Sequence, residues 1–388
     1  MTADIIIHNG VLMTFDDQNP TAEALAIEGG KITQVGSNAG IMALAGPATR
    51  IIDAKGGTVL PGFIDSHVHL FGGSVELDSL SLHGLKGLEA MRAAILPYAE
   101  ANPEDQIIFC VMADYGMLGT GKTPTRHDLD QILSDRPLAM FAHDHHTIWA
   151  NTAALEAVGL LHGGEVDAGS EIVMGADGLA TGALLEPGAY SPILELTRHS
   201  GREMLGLTTG KDPQPPATAE QRKMDKDVIV RGLAHCAAQG ITGLHLMDGN
   251  RYQLELLSEL EAEGRLLCRC NVPFHMKGTD PLERIAAEAP AMRADFQGDK
   301  VRCSHVKMFI DGVIESGTAL MLKPYPGKLG EGKNMGEEVF TQEHFVASCI
   351  EADRLGFQIA VHAIGDAGVR RTIDAFEAAQ GANGKRDS

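Results

Sequence analysis

The stretch LPGFIDSHVHLF, residues 60–71, decides how the rest of the chain is interpreted. It contains His67 and His69, two positions apart within a run of Phe, Ile and Val. In a β-strand, residues i and i+2 point to the same side, so both imidazoles can meet one metal ion while Val68 faces away. Zinc and related ions favour neutral imidazole nitrogen. Spacing alone allows a metal site, and it equally allows two polar residues at the end of an ordinary strand.

The composition argues against several classes of function. The chain has 388 residues and a formal net charge of -20. An acidic chain lacks the basic surface that nucleic acids and anionic lipids require. The N-terminus has no signal-peptide pattern, and no apolar run reaches the roughly 20 residues of a membrane span. The six cysteines form no CxxC pair, which is typical of free thiols in a reducing compartment. We therefore expect a cytoplasmic protein without nucleic-acid or membrane partners.

The pattern of the chain changes at Pro61. Before it, short β-rich runs are separated by Asn-Gly and Gly-Gly turn signals. After it, short apolar strands alternate with helical patterns, which is typical of a mainly parallel sheet, open or closed. The predicted domains are a small β-domain over residues 1–58 and an α/β domain over residues 59–388. A Gly- and Pro-rich insertion is expected near residues 160–220.

Polar side chains recur where the predicted strands end. In a (β/α)8 barrel the chemistry is located at the carboxyl ends of the strands. The polar residues at these strand ends are His67, His69, His245, Lys307, Asp311 and His362. Of these, His245 is expected to have a structural role.

Two later helices carry clear boundary signals. One begins after Thr341, a candidate N-cap, and ends at Gly356. The other ends at Gly240, and its apolar positions recur every three to four residues, at Val228, Ile229, Leu233 and Cys236.

The segment GMLGTGKT, Gly116 to Thr123, fits the G-x-x-x-x-G-K-[ST] pattern of a phosphate-binding loop. Such a loop presents backbone N–H groups at the start of a helix. Here Pro124 follows at once, and the next helix is expected to begin near Thr125. The segment therefore predicts a loop rather than a nucleotide site.

Several long motifs occur in an order that resembles one family. They are ADIIIHNGVLMTFDDQNPTAEALAIEGGKITQVGS, IIDAKGGTVLPGFIDSHVHL, PTRHDLDQILSDRPLAMFAHDHHTIWANTAAL, VKMFIDGVIESGTA and IAVHAIGDAGVRRTIDAFE. Together they resemble the amidohydrolase superfamily. The closer resemblance is to amidohydrolase family 3, the YtcJ-like branch that includes N-substituted formamide deformylase. The resemblance runs from residue 4 to the end of the chain.

The resemblance implies a metal-dependent (β/α)8 TIM-type barrel beside a small β-sandwich. In this family the HxH of the first strand binds metal, which corresponds to His67 and His69. A strand-four lysine, here Lys307, is often carboxylated to a carbamate that bridges two metals. A free ammonium has no lone pair, so only the carbamate can be a ligand. The alternative is an interior lysine paired with Asp311 or Glu315.

His362 matches the strand-five histidine ligand of the family. Its alternative is a strand-end histidine bonded to backbone. Beyond these, the family has a strand-six histidine ligand and a strand-eight aspartate that binds metal and acts as general base. Neither has a counterpart before Ser388. We therefore expect the catalytic base beyond Ser388, in a longer protein of which this chain is a C-terminally truncated part with an incomplete barrel.

The segment FAHDHHTIWAN, residues 141–151, is the richest polar cluster. Strand-like alternation predicts His143 and His145 on one face, with Asp144 and His146 on the other. A second metal site is one interpretation of that cluster.

The resemblance instead places Asp144, His146 and Asn151 near the substrate. The alternative for these residues is a structural hydrogen-bond network. Glu186 is a further candidate for the same region, and Asp311 is taken as substrate-adjacent.

The family resemblance, together with the metal ligands that it implies, predicts a hydrolase of carbon–nitrogen bonds other than peptide bonds. Its expected substrates are amide- or formamide-type small molecules. One or two divalent ions, with zinc expected, would activate the attacking water. A deaminase, a cyclic-amide hydrolase or a phosphoesterase on the same fold stays open, as does an inactive metal-binding fragment. The expected partner is a small-molecule substrate, and a homodimer is compatible with a barrel of this size.

Overall fold

The computed structural model describes residues 2–119, 121–166, 170–314, 317–327 and 332–386. The chain divides into two compact units, Met1–Phe63 and Ile64–Ser388. In the described ranges no helix is both long and apolar enough to cross a membrane.

The N-terminal unit consists of short strands and one short helix. Its elements are β1 (Ile5–His8), β2 (Val11–Met13), β3 (Thr21–Ala22), β4 (Ala24–Glu28), β5 (Lys31–Gly36), α1 (Asn38–Met42), β6 (Arg50–Asp53) and β7 (Thr58–Val59). One sheet has the order β5-β4-β1-β6 and the other β3-β2-β7. Ile6 of β1 pairs with Ala26 of β4 and Ile51 of β6, and its side chain lies in a small buried core with Ala24, Ala26 and Ile41.

The second unit begins with one strand and a mixed α/β segment. The elements of this part are β8 (Phe63–Val68), α2 (Leu70–Glu76), β9 (Leu80–Ser81), α3 (Leu88–Ala101), β10 (Ile108–Ala113), α4 (Arg126–Ile132), β11 (Leu138–Ala142), β12 (Thr147–Ala150), α5 (Thr152–Ala157), β13 (Glu171–Met174), β14 (Ala180–Leu185), α6 (Pro187–Glu195) and α7 (Leu205–Thr208).

The rest of this unit alternates strands and helices. Its elements are α8 (Ala219–Ala238), β15 (Ile241–Leu246), α9 (Arg251–Ala262), β16 (Arg269–Asn271), β17 (Phe274–His275), α10 (Glu283–Asp295), β18 (Val301–Arg302), β19 (His305–Phe309), α11 (Gln342–Arg354), β20 (Gln358–His362) and α12 (Asp366–Asn383).

Two sheets of this unit form one row of strands. Their orders are β18-β16-β15-β8 and β17-β19-β20. Since β17 follows β16 after two residues, and β19 likewise follows β18, each pair is one interrupted strand. Strands β15 and β16, β16 and β18, β17 and β19, and β19 and β20 all pair in parallel. We call β8, β15, β16/β17, β18/β19 and β20 the barrel row. Its alternation with helices is that of a TIM-type barrel.

Both helices with predicted boundaries are confirmed. Helix α8 has Thr218 as its N-cap, and Val228, Ile229 and Leu233 are among its buried residues. Gly240 follows its end with φ +79. Helix α11 begins after Thr341, whose side chain accepts a hydrogen bond from the backbone N–H of His344. Gly356, with φ +80, follows that helix. Glycine takes these left-handed conformations without steric cost, which is why it ends helices.

The insertion predicted near residues 160–220 is longer in the structure, where it occupies the whole segment between β8 and β15. It contains a six-stranded sheet of order β13-β14-β12-β11-β10-β9, with two buried apolar clusters around it. We call this segment the inserted sheet region. The apolar run at residues 107–113 contains strand β10, which pairs with β9 and β11 rather than with the barrel row. A continuous apolar run indicates burial without saying which sheet the strand joins.

The phosphate-loop pattern does not begin a helix. Helix α4 starts at Arg126, with Thr125 as N-cap in a capping box with Asp128. The described residues of the pattern, 116–119 and 121–123, lie in turns and loop before it; Thr120 is outside the described residues. The predicted loop is confirmed.

Candidate functional site

A cavity of about 530 Å³ is lined by the carboxyl ends of the barrel row and by the inserted sheet region. It brings together most of the predicted site residues: His67, His69, Asp144, His146, Glu186, Asp311 and His362. Lys307 lies beside this wall, with Nζ 4.5 Å from the ring centroid of Phe309, and Phe309 lines the cavity.

His67 and His69 lie where β8 ends. His67 is in the strand, and its backbone N–H donates to the carboxylate of Asp65 at 3.0 Å. His69 occupies the N-cap position of α2 without a side-chain capping bond. The two ring centroids are 5.6 Å apart, with the rings at 70°. Both imidazoles line the cavity, as the spacing predicts.

The histidines of the barrel row favour the neutral form. Burial lowers the pKa of His67, and the positive charges of Lys307, His69 and His362 lower it further. Burial also lowers the pKa of His362. A neutral imidazole keeps one lone pair, which is the form that binds metal.

Lys307 is buried in the middle of the barrel row. Its side chain is among the largest fully buried ones, and its backbone is in register with His275 on one side and Ala360 on the other. Burial lowers the pKa of Lys307 to about 8, and the negative charge of Asp248 opposes that shift. Glu315, one of the two ion-pair partners considered from the sequence, is outside the described residues.

Asp311, the other ion-pair partner considered for Lys307, accepts hydrogen bonds from backbone N–H groups. Its carboxylate accepts hydrogen bonds from the N–H groups of Leu320, Ile364 and Gly365, at 2.8, 3.0 and 2.8 Å. Three such bonds satisfy much of a carboxylate's accepting capacity. Asp311 therefore ties together two loops at the cavity edge.

His362 is the last residue of β20. Its Nε2 lies 3.1 Å from the carbonyl oxygen of Gly312, so Nε2 carries the proton and donates. Nδ1 is then the nitrogen with the lone pair. The bond to Gly312 fixes the ring and does not exclude a ligand role.

The prediction that residues 143–146 alternate as in a strand is wrong. Strands β11 and β12 are an antiparallel hairpin, and these four residues form its turn. His145 has φ +64, a conformation that a strand does not contain. The hairpin instead turns its tip toward the cavity, which Asp144, His145 and His146 all line.

Two histidines of this turn are paired with carboxylates. His145 Nε2 contacts Glu76. His146 Nδ1 lies 3.0 Å from both carboxylate oxygens of Glu186, the residue that precedes α6. The carboxylate of Asp144 accepts a bond from the His146 backbone N–H at 3.1 Å. These contacts hold the turn in one shape at the cavity wall.

Asn151 belongs to a structural network, the alternative considered from the sequence. It is fully buried and is the N-cap of α5. Its side chain accepts from the N–H groups of Leu138 and Ala154 and donates to the carbonyls of Leu133 and Arg136, all within 3.0 Å.

Replacing Asn151 by alanine should destabilise the fold, because four backbone groups, two of them buried, lose a hydrogen-bond partner. We expect the free energy of unfolding to fall by about 2–4 kcal/mol, measured by urea denaturation. Asn19→Ala, at an exposed asparagine, is the control and should be nearly neutral. Equal stability of the two variants would contradict this role for Asn151.

Asp248 is a site residue that was not predicted from the sequence. It lies two residues beyond β15, and its side chain is 2% exposed, with Oδ1 3.6 Å from Nδ1 of His69. The strand-end pattern could have identified Asp248, because it is a polar residue just after a strand. His245, which lies in the same strand, packs its ring on that of His305 with the centroids 3.9 Å apart.

His275 was overlooked as well. It ends β17, is buried and lines the cavity. Its Nδ1 lies 3.0 Å from the carbonyl oxygen of Gly206, so Nδ1 donates, and burial lowers the pKa of His275 to about 4. The barrel row thus contributes another neutral imidazole to the wall.

The donor set fits a divalent metal only if Lys307 contributes an anionic oxygen. Within the described ranges, no three His, Cys, Asp or Glu side chains converge closely enough to hold an ion. Lysine is not one of those residue types, and its free ammonium cannot coordinate. As a carbamate it would add an oxygen ligand beside neutral imidazoles, a mixture that zinc accepts.

Comparison with known proteins identifies the family of the chain. A family model described as "Amidohydrolase family" matches residues 50–388. The chain is 27% identical over 388 residues to the YtcJ protein of Bacillus subtilis (strain 168), covering 98% of this chain and 67% of that protein. It is 24% identical over 388 residues to the N-substituted formamide deformylase of Arthrobacter pascens, covering 97% of this chain and 66% of that enzyme.

A solved structure shares the fold. It is the crystal structure of an uncharacterized metal-dependent hydrolase from Pyrococcus horikoshii OT3, with TM-score 0.68 and 26% sequence identity. The match covers 96% of this chain and 68% of that one. The chain therefore spans about two thirds of the length of these proteins.

Proposed function

The chain belongs to the amidohydrolase family, and from that premise we propose that it is a metal-dependent hydrolase of amide- or formamide-type C–N bonds. One observation carries the proposal: His67, His69 and His362 line one cavity, and the buried Lys307 lies beside it. Imidazoles beside a lysine that can carry an anionic carbamate form a donor set for metal-assisted hydrolysis.

We propose that Lys307 is carboxylated. An uncharged amine attacks carbon dioxide, and the C–N bond forms as one C=O π bond breaks onto oxygen. The nitrogen then gives one proton to water, and the product is an anionic carbamate. Burial that lowers the pKa of Lys307 to about 8 makes more of the amine uncharged near neutral pH. The buried position also keeps the amine from bulk water.

His67, His69, the carbamate of Lys307 and His362 would hold one or two divalent ions, with zinc as the first choice. When bound, the metal would lower the pKa of a water toward about 7 and polarise the substrate carbonyl. The residues themselves supply neutral nitrogen ligands, and the hydrogen bond from His362 to Gly312 holds one ring in place.

The wall from the inserted sheet region would bind the substrate. Asp144, His146 and Glu186 line the same cavity as the proposed ligands. Glu186 holds the His146 ring through Nδ1, which sets how that ring meets a small molecule. Asp311, whose oxygens are occupied by backbone N–H groups, would shape the wall rather than exchange protons.

Replacing Glu186 by glutamine should weaken substrate binding more than turnover, because the His146 ring loses its charged partner. We expect kcat/KM to fall by about tenfold, mostly through KM, in steady-state assays. Glu165→Gln, at an exposed glutamate in the same region, should leave both constants unchanged. A wild-type KM in Glu186→Gln would exclude a role for this pair in binding.

The experiment that tests the proposed function is a substrate panel on zinc-loaded protein. N-formyl and N-acyl amines are compared with cyclic amides, amino-purines and phosphate esters, after incubation with zinc and bicarbonate. The expected result is release of an amine from acyclic amides. Turnover of only one other class would favour the corresponding alternative: cyclic-amide hydrolase, deaminase or phosphoesterase. Metal binding without turnover would favour an inactive metal-binding fragment.

We also propose a cellular compartment, a fold for the N-terminal unit and an oligomeric state. Six free cysteines support a reducing, cytoplasmic compartment. The two sheets of the N-terminal unit support a small β-sandwich. The proposed binding partner is a small-molecule substrate. The proposed oligomeric state is a homodimer.

A further inference from the structure

Only one of the two carboxylate oxygens of Asp248 accepts a hydrogen bond. The residue is buried, and Oδ2 accepts a hydrogen bond from Nε2 of Gln253 at 2.9 Å. Oδ1 is also buried and has no hydrogen-bond partner. A buried carboxylate oxygen without a donor is destabilising, so its presence calls for an explanation.

His69 provides the matching donor. Its Nδ1 is buried without a hydrogen-bond partner and lies 3.6 Å from Oδ1 of Asp248. The side chain as a whole is 37% exposed, and the ring lines the cavity. A separation of 3.6 Å exceeds an N–H···O bond by a few tenths of an ångström. A small rotation of the ring therefore satisfies both buried atoms at once.

We infer that Asp248 is the positioning residue of His69: its carboxylate accepts a hydrogen bond from the Nδ1–H group and leaves Nε2 as the ligand nitrogen. A neutral imidazole carries one proton, so holding it on Nδ1 places the lone pair on Nε2. A carboxylate partner also fixes the ring and increases its basicity as a ligand. This inference rests on the proposed function, because it assigns His69 a metal.

Rigid elements hold Asp248 at this place. The backbone N–H of Met247 donates to the carbonyl of Val68 at 2.9 Å, which joins the Asp248 segment to the strand that carries the two histidines. The N–H of Gly249 donates to Gly206 at 3.1 Å. Gln253 belongs to α9 and is itself buried. A partner anchored on both sides can hold a ligand more accurately than a mobile loop can.

The test is the zinc dissociation constant of Asp248→Asn, measured by competition with a chelating dye in the presence of bicarbonate. Asparagine keeps the shape and removes the charge. We expect zinc binding about 10–100-fold weaker than in the wild type. Asp130→Asn is the matched control, because Asp130 accepts bonds from Thr152 and is not part of the cavity wall. It should bind zinc like the wild type.

A double-mutant cycle separates positioning from a general effect of the charge. In the His69→Ala background, Asp248→Asn should cause no further loss of zinc affinity, because its effect passes through His69. An equal loss in both backgrounds would overturn the inference. If Asp248→Asn does not fold, Gln253→Ala replaces it. That variant removes the anchor of the carboxylate, and we expect roughly threefold weaker zinc binding; an unchanged constant would again overturn the inference.

The outcomes distinguish this inference from the proposed function. Wild-type protein that binds no zinc overturns both. Wild-type protein that binds zinc, with Asp248→Asn binding it equally well, overturns the positioning role alone and leaves the proposed hydrolase intact.

Discussion

Replacing Lys307 by methionine is expected to lower kcat/KM by at least about 10³-fold and to reduce the zinc bound per chain. Methionine has a similar length and suits a buried site, so the fold should persist. What it removes is the amine that would become the anionic ligand. The measurements are steady-state hydrolysis and metal analysis of the same preparation.

The control for this variant is Lys122→Met. Lys122 is exposed and belongs to the phosphate-loop pattern, so its replacement should alter neither the rate nor the metal content. Because the pattern is that of a nucleotide-binding loop, ATP is also tested, and we expect no ATP-dependent shift of the melting temperature in either the wild type or this variant. Wild-type activity and metal content in Lys307→Met would show that the carbamate is not needed.

The second large effect is expected at the two histidines of β8. His67→Ala and His69→Ala should each lower activity by about 10³-fold or more, because each removes a proposed ligand. The double variant should be little worse than either single one, since residues that act as a unit are not additive. Metal analysis should show the same pattern.

His83→Ala serves as control for the histidine variants. His83 is exposed, and it should retain both zinc and activity. Effects that add fully in the double variant would argue that His67 and His69 do not share one metal site.

Several parts of the site could be predicted because they depend on local periodicity. The two-residue spacing of His67 and His69 puts both rings on one side, and both line the cavity. Parallel strands present their carboxyl ends at one edge, so His362 reaches the same cavity from another strand. The strand-end pattern includes Lys307, but its role as a metal ligand was predicted only from the resemblance.

Other parts depend on contacts between distant segments. Asp248 and His69 are far apart in sequence, and their approach follows from the pairing of β15 with β8. The six-stranded sheet could not be separated from the barrel row, because both contain short apolar strands. The turn at residues 143–146 was missed because no Gly or Pro marks it in the sequence, so its four consecutive polar residues were assigned the two-residue period of a strand.

The most direct test of the central claim is the number of zinc ions bound per chain after incubation with zinc and bicarbonate. Wild-type protein and Lys307→Met are compared in the same assay. We predict one or two zinc ions per wild-type chain and a clear loss in the variant. Less than about 0.3 zinc per wild-type chain, or equal binding by both proteins, would contradict a metal centre built on His67, His69, His362 and a carboxylated Lys307.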